Sequence, residues 1–377
     1  MKLIINKFPP ITQPCEIDLS KKVILFVGKN NSGKTYLSQL IWGIYKVEKE
    51  YFSKWNSPEI NYANLDKIAL DFVSYLKKYT VKYIFKREID IDFMIEFTLE
   101  ELQSKNYSNS IFLPSTRLFF PSFYKYIFHT EKNFKDNMFE NLDKINSENR
   151  NFYAPSYTQP VDELIKKLIF GLDKPMEKKS NYLNILSSII EGDISVDRAE
   201  EIGMADISYK HKSGHNIPMY LSSSMVNQLS MLYLYFKYWC GEENNFLLLD
   251  EPEMNLHPSK KIEVMELLLD FASNNKLLIA THSSTLAKSL INYLHLFDLK
   301  EKKENMQEFI DENELDMNLD INLKSNDIGI YAFNGKTIVS YKQDDNSDIH
   351  FGTFTKVEEL QNRQFDYIME ELDKYDS

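Results

Sequence analysis

The sequence contains only two cysteines, Cys15 and Cys240, far apart and outside any CxxC spacing, and it holds no dense His/Cys cluster. The pattern argues against a disulfide framework and a structural zinc, and it suits the reducing cytosol. Positive charge is also short: 44 Lys and Arg stand against 56 Asp and Glu, a formal charge of −12. An average surface of that sign repels phosphate backbones, so a nucleic acid partner stays possible only through a local basic groove. Long apolar runs are missing. Met231 to Trp239 is about half of what a bilayer requires and carries Lys237, and the apolar start Met1 to Phe8 is too short for a signal peptide. The expectation is a cytoplasmic chain with no membrane partner. Internal repeats are lacking too, and the lack of long heptad runs argues against coiled-coil arms.

What is present is ordinary globular material, 43% hydrophobic and 27% charged. Val23 to Val27 is a continuous β-rich apolar run ending at a glycine, which predicts a buried parallel strand. Leu37, Leu40, Ile41, Ile44 and Tyr45 then recur at helical spacing. From Leu221 onward, helix (226–239), strand (246–249), helix (258–272), strand (277–280) and helix (284–294) alternate, as βαβ units of a parallel sheet do. Between these ends, helices are expected over 65–79, 161–170 and 182–190, with strands at 89–99 and 111–113. Residues 131–153 are polar and read as irregular. Acidic residues crowd 301–320 as a solvated connection. Asn334-Gly335 between β-like runs predicts a hairpin, followed by a last helix from about Val357.

Three motifs carry chemistry. Gly28-Lys-Asn30-Asn31-Ser32-Gly33-Lys34-Thr35 is a full GxxxxGK[ST] match placed between a buried strand and an amphipathic helix. Its glycines let successive N–H groups face phosphate oxygens, and the helix start adds a positive dipole end. Lys34 is placed for the β- and γ-phosphates of ATP, and Thr35 for Mg²⁺. Asp250, Glu251 and Glu253 end an apolar strand. Asp250 suits Mg²⁺ through its water shell, and Glu251 suits orienting or deprotonating an attacking water; a solvated acidic turn is the bland alternative. Glu253 fits either a second metal carboxylate or a surface charge. His282 ends the next strand at the same sheet edge, where open parallel sheets bind ligands, so it reads as a γ-phosphate sensor or as a structural histidine.

Together these motifs resemble the ABC-type ATPase heads of the RecF, SMC and OLD group. Leu221-Ser222-Ser223-Ser224-Met225 with Gln228-Leu229 resembles the group's signature segment. Asp250 to Pro258 resembles its fused Walker B and D-loop, and Thr281-His282-Ser283 its switch histidine. Leu113-Pro-Ser-Thr-Arg117 looks like the LPxxR segment of stand-alone AAA-type ATPases of phage-defence operons, such as the PARIS and Septu systems. The resemblance covers roughly 1–48, 111–120 and 205–295, and Ser224 departs from it by replacing the signature glycine.

The resemblance implies an α/β P-loop NTPase of the ABC ATPase type. Its core would come from 1–48 and 205–298, with a mainly helical inserted subdomain at 49–204 and an acidic linker plus small α+β hairpin and helix at 299–377. It implies catalytic roles for Glu251, His282 and Lys34. It implies a homodimer or higher oligomer with ATP at the interface, closed in trans by Ser222 and Ser223; a helix cap is the alternative for those serines. Asn255, Leu256 and His257 would lie along the seam. Arg117 would touch nucleotide, sense the partner copy or form a structural ion pair.

A Toprim nuclease needs a Glu and a DxD at strand ends, and Asp316 to Asp320 has no apolar strand leading into it. The resemblance to defence ATPases thus implies a separate effector, a nuclease or toxin. A RecF- or SMC-like DNA-engaging ATPase is the alternative, through a basic cluster at Lys77, Lys78, Lys82, Lys86 and Arg87. A transporter motor is disfavoured by the long insertion and the altered signature.

Overall fold

The computed structural model describes residues 1–53, 65–98, 109–123, 157–176, 181–198, 205–341 and 363–364. The polar stretch 131–153 and most of the helix expected from Val357 lie outside them.

The described strands are β1 (Lys2–Lys7), β2 (Cys15–Asp18), β3 (Val23–Gly28), β4 (Asp92–Glu96), β5 (Asn109–Leu113), β6 (Gly192–Arg198), β7 (Ala205–His211), β8 (Asn216–Pro218), β9 (Asn245–Asp250), β10 (Lys276–Thr281), β11 (Ile328–Phe333) and β12 (Ile338–Ser340). The helices are α1 (Lys34–Ser53), α2 (Leu65–Tyr75), α3 (Val81–Phe85), α4 (Gln159–Phe170), α5 (Asn181–Ile190), α6 (Ser224–Leu234), α7 (Pro258–Ala272), α8 (Ser284–Lys302) and α9 (Met306–Glu312). The central sheet has the order β12-β11-β3-β10-β9-β5 and is parallel apart from β12. Two antiparallel sheets flank it, β2-β1-β4 and β6-β7-β8. The fold is mixed α/β with a parallel-dominated sheet.

Every residue of β9 and β10 is buried, so both faces of the sheet's centre are covered. This is why those strands read as unbroken apolar runs rather than alternating ones. Helix α1 turns Leu37, Leu40, Ile41 and Ile44 into the core. It is pinned to the sheet by Tyr45 against Phe246, ring centroids 4.7 Å apart, and by the Trp42 indole donating to the Ser110 carbonyl at 3.3 Å.

Two segments expected to stand apart from the core supply strands to its sheet. Strand β5, within 49–204, pairs with β9. Strand β11, within 299–377, lies against β3. Parallel neighbours are joined by long crossovers, so their pairing leaves no local mark in the sequence. The acidic stretch 301–320 contains the short helix α9, and Asp316 to Asp320 follow it without strand structure. Among the described residues no helix is long and apolar enough to cross a membrane.

Candidate functional site

The β3–α1 turn forms a cradle because its two invariant-spacing glycines have no room for a side chain. Gly33 sits at φ 97°, and a Cβ on it would lie 2.8 Å from the Pro10 ring. A Cβ on Gly28 would run into the Phe333 main chain of β11. Asn31 also takes a left-handed conformation, φ 62°, which asparagine tolerates better than most residues. Lys34 curls over this loop, its ammonium donating to the Gly28 and Lys29 carbonyls at 2.8 Å each. Ser32 carries a buried hydroxyl with no hydrogen-bond partner, a donor suited to a phosphate oxygen.

From the start of α1, the Thr35 hydroxyl donates to both oxygens of Asp250 at the end of β9, at 3.1 and 3.0 Å. Just beyond, the chain leaves β9 through Glu251, left-handed at φ 52° with its N–H on the Ala280 carbonyl at 2.8 Å. His282, past the end of β10, brings Nδ1 onto the Glu251 carboxylate and within 3.8 Å of Glu253. Asn30, Asn31, Lys34, Thr35, Asp250, Glu251 and His282 line one cavity of about 570 Å³.

Glu253, expected as a metal ligand or a surface charge, is only 2% exposed. It lies beneath the cavity, accepts from the Thr281 hydroxyl, and keeps its other oxygen buried without a partner. Donor atoms of Glu251, Glu253 and His282 fall within 4.8 Å of one another.

Burial and neighbouring charge shift the titration of Asp250 and Glu251. Burial pushes the Asp250 carboxyl up, opposed by the Thr35 hydroxyl and the Arg117 charge. Burial, then repulsion from Glu253, raises Glu251 to about 7, while His282 pulls it back. Burial lowers Lys34, and the nearby acids oppose that. We expect kcat/KM for a reaction using Glu251 as base to rise with pH through about 7, a pH–rate profile being the check. Below that value the folded chain keeps a proton that the unfolded chain gives up. The same group therefore costs nucleotide-free protein stability as pH rises from the usual carboxylate range to about 7, readable as a falling Tm.

A magnesium ion suits Thr35 and Asp250. Both offer hard oxygen donors, and Asp250 is a carboxylate 2% exposed whose charged form is disfavoured by burial until a cation arrives.

Ser222 and Ser223 do not line the cavity. Ser223 caps α6, accepting from the Val226 N–H at 3.2 Å, and Ser222 bonds back to the Pro218 carbonyl at 3.3 Å. The segment lies at the surface behind Tyr220 and Leu221, which are 70% and 67% exposed. Asn255 and His257 are exposed, but Leu256 turns inward and is buried, since its side chain completes the core under the turn.

Arg117 contacts neither the cavity nor the outer surface: it is 2% exposed, behind the acids. Its guanidinium meets main-chain carbonyls rather than a carboxylate partner, and its position behind the acids has no signal in the sequence, because the strand before it, β5, finds β9 only in three dimensions.

Compared with known proteins, residues 98–287, just over half of the chain, match the model of a family described as an AAA ATPase domain. The matched stretch holds Asp250, Glu251 and His282 and begins after the phosphate loop. No curated protein matches the chain. Among solved structures, the chain is similar to an SMC head bound to the C-terminal winged-helix domain of ScpA, at 12% identity and TM-score 0.38, covering 91% of this chain and 97% of that one. It is similar to the SMC head domain from Thermotoga maritima at 12% identity and TM-score 0.35, covering 90% and 98%. A third is an SMC head with an extended coiled coil bound to the C-terminal domain of ScpA from Pyrococcus furiosus, at 12% identity and TM-score 0.38, covering 96% and 98%.

Proposed function

The chain belongs to the family of AAA ATPase domains, and from that premise we propose that it is a regulatory subunit in which Mg-ATP joins two copies and so controls a separate effector, a nuclease or toxin of bacterial anti-phage defence. It is an ATP-hydrolysing enzyme. In this reading the loop Gly28 to Thr35 holds the phosphates, with Lys34 as the cationic clamp and Thr35 and Asp250 as the residues that hold magnesium. The ion, when bound, neutralises charge developing on the phosphates. Glu251 orients a water and takes its proton as the oxygen bonds to the γ-phosphorus and the bond to ADP breaks. His282 faces the same end of the nucleotide.

The observation that carries the dimer is the separation of Ser222 and Ser223 from their own cavity, beside two exposed apolar side chains. A second copy seated there would cover Tyr220 and Leu221 and bring the serines to its partner's nucleotide. Apolar side chains left at a surface beside polar ones mark such contacts. A cycle of ATP-driven closure and hydrolysis-driven opening then gives two states an effector can distinguish. The defence assignment is supported by the likeness of Leu113 to Arg117 to the segment of stand-alone defence ATPases. Co-purification of the native complex tests it: a bound nuclease or toxin is expected, and a chain recovered with neither counts against it.

Ser222→Arg is expected to leave ATP affinity intact while abolishing the ATP-dependent dimer in light scattering, with hydrolysis falling to background. Unchanged turnover would remove the segment from the site. A DNA-engaging role is not favoured. Of the basic cluster it would use, Lys82 pairs with Glu88 at 3.1 Å and Lys86 with Asp162 at 3.1 Å. Lys77 pairs with Asp92, and Arg87 bonds to Tyr36.

A further inference from the structure

The guanidinium of Arg117 donates to three main-chain carbonyls: Pro114 at 3.0 Å, Asp250, and Glu251 at 2.9 Å. It thus spans two consecutive carbonyls at the point where β9 turns out of the sheet. A rigid planar fork of this kind fixes the angle between its acceptors as well as their distance, which an ammonium does not. The Glu251 carbonyl takes a second bond from the other side, from the Gln228 side-chain amide at 3.1 Å. Gln228 is completely buried, and its amide oxygen has no partner. The side chain therefore makes a single hydrogen bond, and that bond is spent on Glu251.

The geometry gives these bonds something to hold. Glu251 is a non-glycine residue at φ 52°, a conformation that persists only where the surroundings impose it. Its N–H is fixed by Ala280 and its carbonyl by Arg117 and Gln228, so all backbone groups that set the direction of its side chain are tied down. The three ties come from different elements: β10, the turn after β5, and α6. Helix α6 starts directly after Ser223, and Gln228 lies little more than one turn into it. The loop before it is fastened to the same helix, because the Asn227 amide holds the carbonyls of Met219, Ser222 and Ser223 at 2.9, 3.2 and 3.2 Å. A push on the serine segment therefore moves α6 as a unit, and Gln228 with it.

We propose that Arg117 and Gln228 are positioning residues for Glu251, forming a two-sided clamp on its carbonyl through which the Ser222–Ser223 segment is tied to the base of its own chain. Arg117 is the fixed jaw and Gln228 the moving one. The proposal rests on the reading of Glu251 as the base, and it adds a route by which one copy's docking on another tunes hydrolysis in its own cavity.

The test uses the full chain and separates turnover from binding. Arg117→Lys, Arg117→Gln, Gln228→Leu and Glu251→Gln are compared by steady-state ATP hydrolysis, by calorimetric ATP affinity, by Tm and by light scattering with ATP. A base displaced by about 1 Å loses roughly 100-fold in rate, so Arg117→Gln is expected to lower kcat by about that factor and Gln228→Leu by about tenfold. ATP affinity should stay within about threefold, since neither residue touches the cavity, and Gln228→Leu should form the ATP-dependent dimer as the wild type does. Arg117→Lys keeps the charge but cannot bridge both carbonyls at once, so its kcat should fall between wild type and Arg117→Gln. Wild-type kcat in both Gln228→Leu and Arg117→Gln overturns the proposal, as does a joint fall of kcat, ATP affinity and Tm in every variant, the mark of a purely structural role. If Arg117→Gln does not fold, Gln228→Leu and Arg117→Lys decide alone. Full turnover in Glu251→Gln overturns the base assignment and this inference together. An inactive Glu251→Gln beside wild-type Gln228→Leu and Arg117→Gln overturns this inference only.

Discussion

Replacing Lys34 by alanine is expected to lower ATP affinity by about 100-fold or more, which is about 2.8 kcal/mol at 1.4 kcal/mol per tenfold. That is the worth of a charge-assisted hydrogen bond in a partly dry site, and the Lys34 ammonium is the cation placed nearest the loop's carbonyls. The same change removes positive charge from a cavity lined by Asp250 and Glu251, with Glu253 close by, and the lysine offsets the repulsion among these acids. Loss of the positive charge, rather than loss of shape, drives the effect, so a neutral isostere such as methionine should fare no better than alanine. Calorimetry with ATP is the measurement. Affinity unchanged from wild type would remove the cradle from nucleotide binding.

Glu251→Gln is the second large effect. The amide preserves the volume of the side chain and can still bond to His282, but it cannot accept the water's proton. Loss of a general base costs about 100- to 10,000-fold in rate. If Lys34 and the loop hold the phosphates, ATP affinity should stay near wild type or tighten, since one fewer negative charge faces the triphosphate once the glutamate is neutral. A chain that binds but does not hydrolyse is expected to accumulate in the closed dimer, visible as a doubled mass in light scattering with ATP. Wild-type turnover in this variant would take Glu251 out of its role.

The legible part of the site was the part written locally. Gly28 to Thr35 declares itself because a strand, a tight turn and a helix start occupy contiguous residues. The apolar runs before Asp250 and Thr281 declare themselves because both faces of β9 and β10 are buried, leaving no polar residue to break the pattern. Which strands lie side by side was not legible. The β5–β9 and β11–β3 pairs join residues separated by more than a hundred positions, and parallel pairing uses main-chain groups that every residue has. Arg117 followed from that: the LPxxR likeness singles it out, but only the β5–β9 register carries it behind Asp250. Glu253 was ambiguous for a similar reason, since the side chain that covers it, Thr281, arrives from a different strand. Ser223 was legible as a helix cap, which it is; facing a second copy would ask for the same small hydroxyl.

Strand β3, which carries the phosphate loop, has β10 on one side and β11 on the other. Both are made late: a ribosome finishes Val23 to Gly28 long before it reaches 276–281 and 328–333. During that interval the emerging chain presents an apolar ribbon with two unpaired edges, the template on which strands of other molecules add. A chain stalled before Ile328 is therefore expected to leave one edge of β3 unpaired and to aggregate more readily than the full chain.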